Sequence, residues 1–345
     1  MEVAGLVLMA ALLALVGITL YAANSAALDS SRLPLLRVLL FSLSGAGALF
    51  GVLSMATSLL LPDASADVPP VPPGTALLGL IVAGGVGLLN VLLLASPALR
   101  LRLGRVLGPA YNPDSPLHLT ALVLSGSLLS YTVISLIAGG GVQGLADSIN
   151  SSGVSAGETL FQSLLWVLAA LLGVGLFIRR SPAQAAARLS FRRPRVGDVL
   201  LGAGVGLLLY GVVISISLLS GLLLSPEQLT EQGAVSAALL GSVNTLWGAL
   251  LLSLPVAIGE EIFFRGALQP VLGLVPTSLF FAALHAQYGF TPAIAAIFLV
   301  GLLLGLLARR HGTLASITGH FVLNFVQLAL AVLARSLLIS GGPGT

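Results

Sequence analysis

Long apolar runs separated by short polar segments dominate this chain. Strict alternation of apolar and polar residues, which is typical of membrane barrel strands, does not occur in them, and Leu, Ala and Gly dominate. Most runs reach about 20 residues, enough to cross ~30 Å of hydrocarbon as a helix. The pattern predicts an all-α, polytopic transmembrane bundle of about ten spans, of which the eighth is short: 3–23, 38–61, 76–95, 117–138, 159–178, 199–224, 237–269, 277–288, 291–308 and 313–333.

Charged residues alternate between the loops that connect these spans. Arginines follow the first, third, fifth and ninth spans, whereas the loops after the second, fourth and sixth spans carry acids and no arginine: Asp63, Asp67, Asp147, Glu227 and Glu231. The positive-inside rule places the arginine loops in the cytoplasm. Both termini are therefore predicted to lie outside. A Pro-rich outer loop is predicted at 62–73.

Composition strengthens the membrane interpretation. The chain is 57% hydrophobic and 8% charged, with a mean hydropathy of +1.07. All 15 basic residues are arginines, and their positions explain the net charge of +3 by membrane topology, so no nucleic-acid partner is expected. The chain has no cysteine, which excludes disulfides and thiolate chemistry. The Arg-only, Ala/Leu/Gly-rich composition indicates a multi-pass protein of a prokaryotic cytoplasmic membrane.

The arginine-rich loop at 179–195 is the predicted internal boundary. Before it, the five spans carry few polar side chains at depth, and after it come all the clustered ionisable residues. We therefore predict an N-terminal accessory transmembrane module at 1–196 and a functional module of about five helices at 197–345.

One stretch, GEEIFFRG at 259–266, places three formal charges inside an apolar span. On an α-helix Glu261 and Arg265 are i,i+4 neighbours and can pair, while Glu260 points about 100° away, beside Phe264. One carboxylate is thus predicted to be held and the other to be free. An ionised side chain at bilayer depth costs at least ~2.5 kcal/mol, so it usually faces a partner or a water-filled cavity. This stretch is the first part of a candidate site.

Two further spans carry imidazoles at a similar predicted depth. His285 shares a helix face with Phe281, and His320 shares one with Asn324, because each pair has i,i+4 spacing. A carboxylate such as Glu260 beside an imidazole can take a proton from water and later return it. A second imidazole with an amide can stabilise an oxyanion. The set predicts an acyl-transfer hydrolase that uses water rather than a protein nucleophile.

The same side chains also permit metal chemistry. Glu260, His285 and His320 together are a familiar zinc ligand set that leaves one position for water. The helix-borne HExxH signature is absent from the sequence. The residues alone leave a divalent metal such as zinc and a glutamate-based mechanism as open alternatives.

Three motifs resemble those of one family of intramembrane proteases. GEEIFFRGAL at 259–268, FAALH at 281–285 and HFVLN at 320–324 are similar to the EExxxR, FxxxH and HxxxN motifs of the CAAX prenyl protease and bacteriocin-processing (CPBP, or Abi) family. The motif order matches as well. The resemblance covers roughly 198–335 and does not extend to the first five spans.

The resemblance implies an intramembrane endopeptidase with defined residue roles. It assigns water activation to Glu260 and His285, the oxyanion hole to His320 and Asn324, and supporting roles to Glu261, Arg265 and Phe281. Its substrate would be a peptide or protein, lipidated or embedded in the lipid bilayer, that enters from the cytoplasmic leaflet.

Two other functional classes stay open at this point. Buried Glu, His and Arg also build proton relays in membrane transporters, although the two halves of this chain show no internal repeat. A catalytically silent relative could serve as a membrane scaffold or bacteriocin-immunity protein. The complete motif set argues against that second alternative.

Overall fold

The computed structural model describes residues 2–60, 71–193, 195–289 and 291–340. Within these residues the secondary structure is helical, with no β-strand. The α-helices are α1 (Glu2–Ala26), α2 (Leu33–Leu60), α3 (Pro73–Ala95), α4 (Pro97–Leu107), α5 (Pro116–Ala138), α6 (Gly141–Ser152), α7 (Ala156–Val174), α8 (Pro182–Arg188), α9 (Val196–Leu223), α10 (Pro226–Ser242), α11 (Leu246–Glu261), α12 (Gln269–Leu272), α13 (Leu274–Ala283), α14 (Pro292–His311) and α15 (Thr313–Ser340). A π-helix, Ile262–Leu268, joins α11 to α12.

Nine helices among the described residues are long and apolar enough to cross a membrane. They confirm the predicted all-α fold and make this a multi-pass integral membrane protein. The predicted eighth span corresponds to α13, which has only 10 residues. Most of the predicted Pro-rich loop, with Asp63 and Asp67, lies outside the described residues. The placement of both termini outside stays a prediction.

Two predicted helix boundaries are wrong. The span predicted at 237–269 is interrupted, because α10 ends at Ser242 and the Thr245 hydroxyl then accepts a hydrogen bond from the Gly248 amide at 3.0 Å, which starts α11. The span predicted at 277–288 also ends early, since α13 stops at Ala283. A short 3₁₀ turn and Gly289, at φ +60°, follow it.

The chain divides into two compact units. The first comprises Met1–Ala138, Leu168–Leu189 and Ala267–Phe280. In it α2, α3 and α5 pack against one another around fully buried side chains such as Leu40, Met55 and Val123. The predicted division between residues 196 and 197 stays a prediction.

The second unit contains every residue of the candidate site. It comprises Gly139–Val167, Ser190–Gly266 and Phe281–Thr345. Its centre is α15, which packs on α9, α11 and α14. The contact with α9 is very close: a Cβ at Gly202 would lie 2.5 Å from the Ala315 carbonyl oxygen, and one at Gly206 would lie 2.4 Å from that of Gly319. Glycines on α9 therefore let the two backbones touch beside His320.

Candidate active site

The two candidate glutamates end α11, and a close helix contact fixes this end. A Cβ at Gly259 would lie 2.9 Å from both the Cα and the carbonyl oxygen of Ser163 on α7. Only a residue without a side chain permits this approach. Directly after Glu261 the backbone changes to the π-helix Ile262–Leu268. Such π segments are rare and frequently occur at functional sites.

The predicted ion pair between Glu261 and Arg265 is present. Nε of Arg265 lies 3.2 Å from Oε2 of Glu261, and both side chains are fully buried. The guanidinium carbon also lies 4.9 Å from the centre of the Phe281 ring, at cation–π distance. Arg265 is therefore held by one carboxylate and lies near two aromatic rings, since the Phe264 ring is also 5.8 Å from its guanidinium carbon. Its Nη1 and Nη2 atoms are buried and have no hydrogen-bond partner among the described residues.

His320 is attached to the same ion pair. Its Nδ1 lies 2.9 Å from Oε1 of Glu261, so the carboxylate accepts a hydrogen bond from the ring. This bond fixes the orientation of the imidazole and directs Nε2 towards Glu260, whose Oε2 is 4.0 Å away. The sequence did not predict the link to Glu261, because the two residues are 59 positions apart. Asn324, half-buried, follows His320 by one turn on α15.

Glu260 differs from its neighbour as the sequence predicted. Its side chain is 17% exposed, whereas that of Glu261 is fully buried. The Oε2 atom itself is buried, and within the described part of the chain it has no hydrogen-bond partner. Buried polar atoms without a partner are rare in native structures and call for an explanation such as a bound water or a catalytic role.

His285 contacts Phe281 but does not lie in the predicted helix. It follows the end of α13, and its Nδ1 lies 2.8 Å from the Phe281 carbonyl oxygen. Because that carbonyl can only accept, Nδ1 carries the proton and Nε2 is left as an acceptor. The Phe281 ring lies near both imidazoles, with its centroid 4.7 Å from that of His285 and 6.1 Å from that of His320.

An aromatic cluster that the sequence analysis missed surrounds these residues. Trp166 on α7 lies 4.6 Å from Phe263 and 5.7 Å from Phe264, measured between ring centroids. Phe264 in turn packs edge to face on Phe281 at 5.1 Å. Trp166 belongs to the predicted accessory module, so its place beside the motif residues could not be read from their spacing. The Gly202 and Gly206 pair was also missed, although its small-xxx-small spacing is a visible signal.

One group next to the site, outside the membrane spans, has a shifted pKa. Burial raises the pKa of the Tyr288 phenol, and a hydrogen bond with Ser236 on α10 opposes that shift. Tyr288 ends the 3₁₀ turn that follows His285. The side chains of the turn, Ala286–Tyr288, are half-buried.

The described side chains do not fit a metal centre. No group of three His, Asp or Glu side chains among them lies close enough together to hold an ion. In the predicted ligand set, Nδ1 of His320 is hydrogen-bonded to Glu261 and Nδ1 of His285 to the Phe281 carbonyl, so only Nε2 of each ring remains available. Glu260, His285 and His320 do not come together as a three-ligand site in this conformation.

Comparison with known proteins finds a family match for part of the chain. Residues 242–326 match the family model described as type II CAAX prenyl endopeptidase Rce1-like. The matched segment contains all three motifs, from Glu260 to Asn324. The match confirms the resemblance predicted from those motifs and supports membership of the CPBP family, which is a family of membrane proteases.

A bacterial relative matches over a similar fraction of the chain. The uncharacterized protein YpbD of Bacillus subtilis (strain 168) is 33% identical over 103 residues, which are 29% of this chain and 54% of that protein. The chain thus spans about half the length of the curated relative that it matches. No solved structure matches this chain.

Proposed function

We propose that this protein is an intramembrane endopeptidase of the CAAX-protease type that hydrolyses a peptide bond with water activated by Glu260. The observation that carries the proposal is the buried Oε2 of Glu260, which has no hydrogen-bond partner among the described residues and lies 4.0 Å from Nε2 of His320. A carboxylate oxygen in that state can accept a proton from a water placed between it and the substrate.

The remaining roles follow from the hydrogen bonds of the two imidazoles. His285, with Nδ1 on the Phe281 carbonyl, presents Nε2 as a second acceptor for the attacking water. The site contains two carboxylates, Glu260 and Glu261, and one guanidinium, so these three groups carry one net negative charge. A protonated His320 would offset that charge. In that state Nε2 of His320 is a donor and, with the side-chain amide of Asn324, can stabilise the oxyanion.

The proposed hydrolysis needs only one water molecule and these side chains. The water oxygen attacks the scissile carbonyl carbon while Glu260 takes its proton, and the carbonyl oxygen becomes an oxyanion next to His320 and Asn324. The carbon–nitrogen bond then breaks, and the proton held by Glu260 passes to the leaving nitrogen. Glu261 and Arg265 position His320 and do not exchange protons with the substrate.

The substrate class follows from the family and from the place of the site. The family model names a prenyl endopeptidase, and all site residues lie on or between membrane-spanning helices. We therefore propose a peptide or protein substrate that is lipidated or embedded in the bilayer and enters from the cytoplasmic leaflet.

The test is cleavage of internally quenched peptides, with and without a C-terminal farnesylated CAAX sequence, by the purified protein in lipid nanodiscs. Glu260→Gln is expected to lower kcat by about 10²- to 10⁴-fold, the usual contribution of a general base. Glu158→Gln is the matched control, because Glu158 is exposed at the start of α7. Undiminished cleavage by folded Glu260→Gln would refute the assignment.

The same preparation separates the alternative functions. Proton flux into proteoliposomes that depends on Glu260, without peptide cleavage, would identify a transporter. A folded protein with neither activity against a panel of membrane peptides would point to a scaffold or bacteriocin-immunity role.

A further inference from the structure

A strongly basic cleft lies at the N-terminal ends of α9 and α15, away from the candidate active site. It is a surface cleft that opens to solvent, with a cavity volume of only about 10 Å³. We call it the basic cleft and define it by its lining residues: Arg192, Arg193, Arg195, Asp198, His311, Gly312 and Leu314. The exposed Arg309 and Arg310 immediately precede the second half of this set. All of these residues belong to the second unit.

Specific contacts hold the two basic segments together. The Thr313 amide donates to the Ser190 carbonyl at 3.2 Å, and Nη1 of Arg192 donates to the Arg310 carbonyl at 3.1 Å. Gly312, at φ +89°, makes the tight turn between α14 and α15. A Cβ at this position would lie 2.8 Å from the Ser190 carbonyl oxygen, so the two segments are in direct backbone contact.

The charges of the basic cleft are unbalanced. Its single acidic lining residue, Asp198, already pairs with His311, whose Nδ1 lies 2.9 Å from its Oδ1. The side chains of Arg193 and Arg195 are exposed. Membrane topology requires arginines in a cytoplasmic loop, but it does not require two arginine segments to be packed together against their mutual repulsion. An anion bound between them would remove that repulsion.

The position and the chemistry of the basic cleft indicate which kind of anion would bind there. Candidate membrane spans begin at Val196 and Thr313, so the cleft lies at the depth of lipid headgroups. Arginine forks bind phosphate oxygens in pairs. From the cleft an apolar face runs along α9, with Val196, Leu200 and Leu207 exposed, where an acyl chain can lie.

We propose that the basic cleft is a binding site for an anionic phospholipid, with Arg193 and Arg195 on the headgroup phosphate and an acyl chain along α9. Basic pockets at the cytoplasmic ends of membrane helices are suited to such headgroups. A bound lipid would fasten the loop before α9 to the start of α15. An anionic phospholipid uses both the arginines and the exposed apolar face.

The experiment titrates purified protein in detergent with phosphatidylglycerol, phosphatidylcholine or inorganic phosphate and follows Tm and, by native mass spectrometry, retained lipid. Phosphatidylglycerol is expected to raise Tm and to stay bound, whereas the other two probes leave Tm unchanged. Arg193→Gln with Arg195→Gln is expected to weaken phosphatidylglycerol binding about tenfold or more, because each surface arginine contributes measurably to anionic-lipid attraction.

The matched control is Arg102→Gln with Arg105→Gln on α4, which removes the same charge from two exposed arginines elsewhere. Equal loss of binding in both double variants, or equal Tm shifts with phosphatidylcholine, would overturn the proposal. An equal shift with inorganic phosphate would overturn the lipid assignment in favour of a free-phosphate site. If the double variant does not fold, Arg193→Gln alone is titrated against the wild type. None of these measurements depends on peptide cleavage, so the result is independent of the proposed function.

Discussion

The ring of His320 is oriented by Glu261 and not by Glu260, the glutamate proposed to act on water. Nδ1 of His320 lies 2.9 Å from Glu261, whereas Nε2 and the nearest Glu260 oxygen are 4.0 Å apart. The two adjacent acids therefore have different tasks. Glu261 joins Arg265 and His320 into one buried unit, whereas Glu260 keeps an oxygen without a hydrogen-bond partner among the described residues, as its proposed role as a general base requires.

The first prediction is that substitutions of the two glutamates differ in their effect on the stability of the protein. Glu261→Gln removes the charge that faces the fully buried Arg265, and breaking a buried pair in this way costs about 3–5 kcal/mol. Glu260→Gln breaks no hydrogen bond of Oε2 with the described residues, so its Tm is expected to stay close to that of the wild type. Thermal unfolding in detergent measures both. Equal loss of Tm in the two variants would contradict the division of tasks.

The second prediction concerns the contact between α9 and α15. Gly206→Ala places a methyl group 2.4 Å from the Gly319 carbonyl, so α15 must shift at the residue before His320. Overpacking of this kind costs about 1–3 kcal/mol, and we expect kcat to fall while KM changes little.

Gly204→Ala is the matched control on the same helix. No atom lies within 4 Å of a Cβ at Gly204, and alanine favours a helix by roughly 1 kcal/mol over glycine. We expect unchanged kcat and an unchanged or slightly higher Tm. Wild-type activity in Gly206→Ala would show that this contact does not position His320.

The sequence predicted the parts of this site that depend on local spacing. The pair of Glu261 with Arg265 follows from i,i+4 geometry, and the freedom of Glu260 follows from its different helix face. The bond from His320 to Glu261 depends on how α15 packs on α11, which spacing within either helix cannot reveal. The π-helix after Glu261 is likewise a consequence of packing rather than of a recognisable sequence signal.

The sequence pattern also fails to predict where some helices begin and end. Only Ser242, Asn244 and Thr245 interrupt the apolar residues between α10 and α11, so an average over a long window does not show that Thr245 begins a new helix. The predicted helical position of His285 failed for a related reason. An apolar run predicts burial, but whether its last residues are helical or turn depends on neighbours such as Gly289, whose positive φ ends the segment.

The third prediction tests whether the predicted accessory module contributes to the site. Trp166→Ala removes the ring that packs on Phe263 and Phe264, and each aromatic pair contributes about 0.5–1.5 kcal/mol beyond area burial. We expect lower Tm and lower kcat. Trp166→Phe is expected to restore most of both, because a phenyl ring keeps the packing; failure of Trp166→Phe to restore kcat would indicate a role other than packing.

The fourth prediction concerns metal dependence and rests on the arrangement of the side chains. No three His, Asp or Glu side chains converge among the described residues. A reaction that uses Glu260 as its base needs no metal to lower the pKa of water. Peptide cleavage is therefore expected to survive dialysis against 1,10-phenanthroline with kcat within about twofold, a change of less than ~0.5 kcal/mol in the barrier. The control is to add zinc back: loss of cleavage with the chelator and recovery with zinc would mean that Glu260, His285 and His320 converge on an ion in the active conformation, and the glutamate mechanism would be wrong.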